Sequence, residues 1–239
     1  MQAEAGNEPV SKRHRVVRVL GIAVLSLMLI VVGLAGYGRA VMRRVTHDVV
    51  SIKDLDSYQN QAQLERAWSL PVAATYAQLQ YQPRASWCGP TSVANVMTSL
   101  EIDSAATPAS VLEDTGYCRL GECIPGLTLE ELAEIARAKT AREVSVLRDL
   151  SLEQLREHLR QSNDPSKRYI VNFLRGPLFR KGGGHHSPIG GYLEQEDLVL
   201  VLDVNEDYEP WLVSSERLHD AIDTIDSSTD QKRGLLLIE

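Results

Sequence analysis

The pattern of apolar and polar positions changes character twice along this chain. From Val19 to Gly38 the residues are uncharged, with only Ser26, Tyr37 and glycines to interrupt the apolar side chains. About 20 such residues, rising 1.5 Å each, cross a hydrocarbon core of about 30 Å. A core helix of a globular domain would show a polar stripe, so the run reads as a membrane-spanning helix. The small residues of Leu34-Ala35-Gly36 and Gly38-Arg39-Ala40 leave a cleavable signal peptide as the alternative, although the run is long for one.

Beyond the apolar run the spacing becomes helical. Val93, Val96, Met97 and Leu100 share one face of a helix that starts near Cys88, with Pro90 in the first turn, where a missing N–H is tolerated. Thr107-Pro108 with Ser110 marks another helix start. Thr128 with Glu131, and Ser151 with Gln154, form capping boxes ahead of two amphipathic runs: Leu129, Leu132, Ala133 and Ala136, then Leu152, Leu155 and Leu159. The pattern then turns extended at Tyr169 to Leu174, Ser187 to Leu193, Leu198 to Val204 and Leu235 to Ile238, with one late helix from about Ser215 to Ile225. Helices first and strands afterwards predict an α+β domain, a helical half packed on an antiparallel sheet.

This reading divides the chain into an N-terminal tail (1–18), a membrane anchor (19–38), a polar stalk (39–75) and a globular domain (76–239). Lys12, Arg13, Arg15 and Arg18 precede the span, and Arg39, Arg43 and Arg44 follow it. The balance leans towards a cytoplasmic N-terminus, which puts the globular domain on the far side, in a bacterial cell the periplasm. The net charge of −7 leaves no electrostatic footprint for a nucleic acid. A homodimer is compatible with the sequence.

Composition adds one decisive point, since there are three cysteines: Cys88, Cys118 and Cys123. Cys118 and Cys123 flank a short loop, and three states stay open for them: a disulfide first, a thiolate pair for zinc or cadmium second, two free thiols third. Cys88 stands at a helix front, where unpaired N–H groups and the positive end of the helix dipole favour a thiolate. A buried, inert cysteine is the competing reading.

Two further stretches supply partners for a thiolate. Gly182-Gly183-Gly184-His185-His186-Ser187-Pro188 brings two histidines to the entry of a strand, and the apolar run Leu198 to Leu202 ends in Asp203. A carboxylate there needs a partner, and an imidazole on the neighbouring strand is a natural one, with its other nitrogen facing the cysteine. Adjacent strand residues point to opposite faces, so one histidine at most is expected to reach the thiol. Gln82, six residues before Cys88, is placed to steady an oxyanion.

Gln82 through Cys88-Gly89, Asn172-Phe173-Leu174-Arg175, Gly184-His185-x-Ser187-Pro188-Ile189-Gly190-Gly191-Tyr192, Leu202-Asp203-Val204, Trp211, Ala221 to Asp226 and Arg233-Gly234 follow one another in the order of the phytochelatin synthase catalytic domain, which the chain resembles from about Tyr81 onwards. The resemblance implies a papain-like fold and a thiol enzyme that attacks glutathione at the bond joining γ-glutamylcysteine to glycine. By position, Cys88 is the nucleophile, His185 the base, Asp203 its orienter and Gln82 an oxyanion donor, with Gly89, Arg175 and Gly184 at the substrate.

No cofactor is required for such chemistry. Cadmium or zinc would act as an activator or as a thiolate complex of the substrate. Two departures stand out. Asn205-Glu206-Asp207-Tyr208-Glu209-Pro210 replaces a basic and aromatic run, and the cysteine-rich extension of eukaryotic members has no counterpart before Glu239. Both predict that cleavage outweighs transfer to a second glutathione. The competing functions are a membrane-anchored papain-like peptidase acting on another peptide, and a non-catalytic metal-thiol binding module.

Overall fold

The computed structural model describes residues 10–42, 46–118, 123 and 126–239, and the chain separates into two units after Val45. Arg43, Arg44 and most of the loop between Cys118 and Gly126 lie outside the described residues. The first unit is one helix, α1 (Val10–Met42). Its window Val17–Leu34 has a mean hydropathy of 2.6. Length and composition suit a membrane span or a signal sequence equally.

The second unit begins earlier than its apolar pattern suggested. A helical turn at Ile52–Asp54 is followed by α2 (Gln61–Trp68) and α3 (Pro71–Ala74). Ile52 is 1% exposed, and Ala67, Val72 and Ala73 are wholly buried. Leu212 N–H donates to the Tyr58 carbonyl (2.9 Å), and His47 N–H to that of Arg180 (2.7 Å). The stalk assigned to 39–75 is therefore corrected: from Thr46 onward the chain belongs to the packed unit. Its few apolar positions are spread through short polar turns, so they form no periodic signal.

The remaining elements are α4 (Cys88–Ser99), α5 (Pro108–Leu112), α6 (Leu129–Thr140), β1 (Val144–Arg148), α7 (Leu152–Gln161), β2 (Arg168–Leu174), α8 (Gly176–Phe179), β3 (Gly184–Leu193), β4 (Leu198–Val201), β5 (Trp211–Ser214), α9 (Ser215–Ile222), a small hairpin of β6 (Ile225–Asp226) and β7 (Gln231–Lys232), and β8 (Gly234–Ile238). Both predicted capping boxes form: Thr128 N–H donates to Glu131 Oε2 at 2.8 Å, and Ser151 N–H to Gln154 Oε1 at 2.8 Å. Thr107 and Ser110 cap α5 in the same way.

Six strands form one antiparallel sheet in the order β1-β8-β2-β3-β4-β5. Strand β1 carries no strong sequence signal and is recruited by pairing along β8. The sheet is covered on both faces. Ile170, Leu200, Leu212 and Leu236 pack with the residues of α4 and α6, while Val171, Phe173, Val201 and Leu235 pack with those of α7 and α9. This double cover explains the continuous apolar runs of β2 and β4, where a half-exposed sheet would show alternation. Gly191, at φ +152°, sits at a register shift between β3 and β4, against Leu70 and Asn163. A side chain there would push on both neighbours.

The buried start of the unit gives a direct test. Ile52→Ala is expected to cost about 2–5 kcal/mol, the usual range for emptying a fully buried isoleucine site, in urea unfolding followed by tryptophan fluorescence. An unchanged transition would return residues 46–75 to the status of a stalk.

Candidate active site

Helix α4 is buried nearly all round, and its first residue is Cys88. The N-cap residue, Trp87, supplies no side-chain cap. Cys88 is the free cysteine among the described residues, and Cys118 is joined to Cys123 in a disulfide. Ser92, one turn along α4, donates to the Cys88 carbonyl (2.8 Å) and lies 3.2 Å from the His186 carbonyl. It thereby ties the helix front to the start of β3.

Asp203 follows β4 and is completely buried. His185 Nε2 lies 2.9 Å from its Oδ1, at ion-pair distance but with the ring N–H off the line to the carboxylate. Arg175 Nη2 donates to the same oxygen at 2.9 Å, and Asn205 N–H at 3.0 Å. Trp211 Nε1 donates to Oδ2 at 3.0 Å. Burial alone would push this carboxyl up. The charge of His185, then the charge and hydrogen bond of Arg175, outweigh it and hold Asp203 well below the usual carboxylate range.

The same balance operates at the other two groups. Burial pushes the Cys88 thiol up, but the charge and hydrogen bonding of His185, joined by a hydrogen bond from His186, bring it well below its ordinary value. Burial and the charge of Arg175 disfavour a protonated His185, yet Asp203 and the thiolate raise it above an ordinary imidazole. The two directions together favour a thiolate–imidazolium pair, with a carboxylate behind the ring.

Both histidines influence the sulfur, which corrects the expectation that one at most could. In the ladder they do alternate, His185 opposite Phe173 and His186 opposite Asn172. Strand β3, however, begins at Gly184, and the first turn of α4 meets it at His186. The cysteine thus lies over the strand's beginning, within reach of both rings. His186 Nδ1 is 3.8 Å from Cys88 Sγ.

The remaining candidates are placed unequally. Gln82 N–H donates to the Val204 carbonyl (2.7 Å), which fixes it beside Asp203, and its side-chain Nε2 donates to the Ala85 carbonyl at 3.2 Å. Gly89 faces Leu132 and Leu127, and Gly184 faces the Arg233 guanidinium. Those two glycines admit neighbouring side chains of the protein. Arg175 lies 3.7 Å from the Tyr208 ring centroid and braces Asp203. Asn172 and Arg233 stand in the motif segments, but their link to His186 has no signature in residue spacing. Among the described residues no three His, Cys, Asp or Glu side chains form a cation site.

A family model described as phytochelatin synthase matches residues 43–235. The chain is 32% identical over 174 residues to glutathione gamma-glutamylcysteinyltransferase 3 of Lotus japonicus, covering 69% of this chain and 36% of that protein. It is 30% identical over 174 residues to glutathione gamma-glutamylcysteinyltransferase 2 of Arabidopsis thaliana, covering 69% and 38%. The chain thus spans little more than a third of the length of these relatives. Among solved structures, a C39-like peptidase from Bacillus anthracis aligns with a TM-score of 0.49 at 12% identity, covering 69% of this chain and 95% of that one.

The ion pair sets a pH window. The thiolate exists above the lowered Cys88 value, and the imidazolium persists up to the raised His185 value. Turnover of a cleavable amide is therefore expected to rise on an acid limb well below about 8.5 and to fall on a basic limb above about 6.5, the ordinary thiol and imidazole values. An acid limb at the ordinary thiol value would contradict the assignment.

Proposed function

Because its residues 43–235 match that family model, the chain belongs to the phytochelatin synthase family, and on that premise we propose that it is a thiol acyl-enzyme catalyst that removes glycine from glutathione. The observation that carries this reading is the convergence of Cys88, His185 and Asp203 from α4, β3 and the end of β4. The Cys88 thiolate attacks the carbonyl carbon of the bond between cysteine and glycine. The oxyanion that forms lies towards the front of α4 and the Gln82 amide. His185 gives its proton to the departing glycine amine as the C–N bond breaks, leaving a γ-glutamylcysteinyl thioester on Cys88. Water, deprotonated by the now neutral His185, then attacks the thioester and releases γ-glutamylcysteine.

Arg175 Nη1 and Arg233 Nε are buried without hydrogen-bond partners. An unpaired donor on Arg175 supports the binding role read for it in the sequence, alongside its grip on Asp203. Hydrolysis is favoured over transfer to the amine of a second glutathione. The support is electrostatic: Tyr81, next to Gln82, has its phenol pushed up by burial and then by the charges of Glu209, Glu206 and Asp203. An incoming glutathione carries two carboxylates and meets that acidic segment, whereas water does not. A soft divalent metal would take part as the thiolate complex of the substrate.

Helix α1 serves in this proposal as an uncleaved anchor that holds the catalytic unit outside the cytoplasm, where the Cys118–Cys123 disulfide persists. The full chain, purified in detergent and supplied with glutathione, is expected to accumulate γ-glutamylcysteine faster than longer γ-glutamylcysteinyl peptides. Cys88→Ala should lower glycine release by about 10³-fold or more. Longer peptides outpacing γ-glutamylcysteine would reverse the ranking, and full activity in Cys88→Ala would end the proposal.

A further inference from the structure

The mechanism above uses one of the two imidazoles beside the sulfur. We propose that the other, His186, is a second catalytic residue: a neutral, fixed hydrogen-bond donor whose Nδ1–H stabilises the Cys88 thiolate and is unable to take its proton. This rests on the reading of Cys88 as an acyl-enzyme nucleophile and adds a division of labour to it.

The argument is a count of hydrogens along a buried chain of contacts. Arg233 Nη1 has only hydrogens to offer, and it lies 3.1 Å from Asn172 Oδ1 and 3.1 Å from Asp226 Oδ2. The Asn172 amide is thereby oriented, with its oxygen towards Arg233 and its NH₂ towards His186. Asn172 Nδ2 is 2.8 Å from His186 Nε2. An amide nitrogen offers hydrogens and no lone pair, so Nε2 must be the acceptor. A neutral ring that accepts at Nε2 carries its proton on Nδ1. That nitrogen is the one 3.8 Å from Cys88 Sγ. The His186 main chain is held by Ser92, and the side chain is buried, so the ring has no free rotation to a second arrangement.

The two histidines are thus set to different tasks by what lies behind them. A carboxylate backs His185 and favours its protonated form, so His185 receives and returns the proton. An amide backs His186, and a second proton on that ring would face the amide hydrogens and the nearby guanidinium. His186 therefore solvates the sulfur anion, both before attack and when sulfur leaves the thioester. Among the described residues, the charged and titratable groups facing Cys88 include His185 and His186 from β3 and Arg233 from the residue before β8, with Asp203 and Arg175 behind His185 and Asp226 behind Arg233.

Two measurements on the full chain decide the matter without assuming a substrate. In protein labelled with ¹⁵N-histidine, the His186 ring, assigned by its loss in His186→Asn, is expected to show a protonated Nδ1 and a bare Nε2 at neutral pH. A protonated Nε2 would overturn the proposal. The second measurement is the pH dependence of Cys88 alkylation by iodoacetamide. His186→Leu should move its acid limb upward by about one pH unit, a tenfold loss of thiolate below the limb. His186→Asn, which keeps an N–H donor near the Nδ1 position, should stay close to wild type. A limb unchanged in His186→Leu, or moved equally in both variants, would overturn the role of His186 alone. An ordinary thiol limb in wild type would overturn the activated nucleophile as well.

Discussion

A carboxylate sealed from water has to be surrounded by donors, and the active site is arranged around that requirement at Asp203. Its oxygens take hydrogen bonds or ion pairs from Arg175 after β2, His185 in β3, Trp211 in β5 and the backbone of Asn205. Breaking such a pair on one side leaves a buried charge uncompensated, a loss of several kcal/mol. The four donors come from separate elements, so meeting the needs of one anion also fixes how β2, β3 and β5 stand relative to one another. Charge then passes outward in steps. Asp203 favours a protonated His185, and that imidazolium favours a thiolate on Cys88.

The helix and the sheet supply what charge alone cannot. Helix α4 is buried along almost its whole length, which fixes the direction of its first residue. The single hydroxyl hydrogen of Ser92 is shared between the Cys88 carbonyl at 2.8 Å and the His186 carbonyl at 3.2 Å, so the helix front and the strand start are held to a definite spacing. Arg168 does the same at the far end of the helix, donating to Ser99 Oγ and to the Ser99 carbonyl, each at 2.9 Å. Rigid elements on both sides of the sulfur are what allow two imidazoles to approach it without competing for one position.

Much of this was legible in the sequence, and what was not has identifiable causes. The helix at Cys88, the capping boxes at Thr128 and Ser151, the strands around Ile170 and Val199, and Asp203 after its apolar run all follow from local rules. Local rules fail where an element is stabilised by partners far away. Strand β1 forms because β8 offers an edge, and Ile52 and Val72 are buried because the sheet closes over short, polar-looking turns. The two histidines show a subtler limit. Alternation along β3 describes their ladder neighbours correctly but says nothing of a helix tip placed over the strand's beginning. The pairing of His186 with Asn172, and of Asn172 with Arg233, joins residues 14 and 61 positions apart, beyond the range of any local pattern.

The account stands on the claim that a buried carboxylate, acting through His185, keeps Cys88 ionised at neutral pH. The most direct measurement is a pH titration of the ultraviolet thiolate absorbance in the full chain and in Asp203→Asn, with Cys88→Ser subtracted as background. The account predicts a wild-type transition well below the ordinary thiol range and an upward displacement in Asp203→Asn. Identical transitions in the two proteins, or an ordinary transition in wild type, would contradict it.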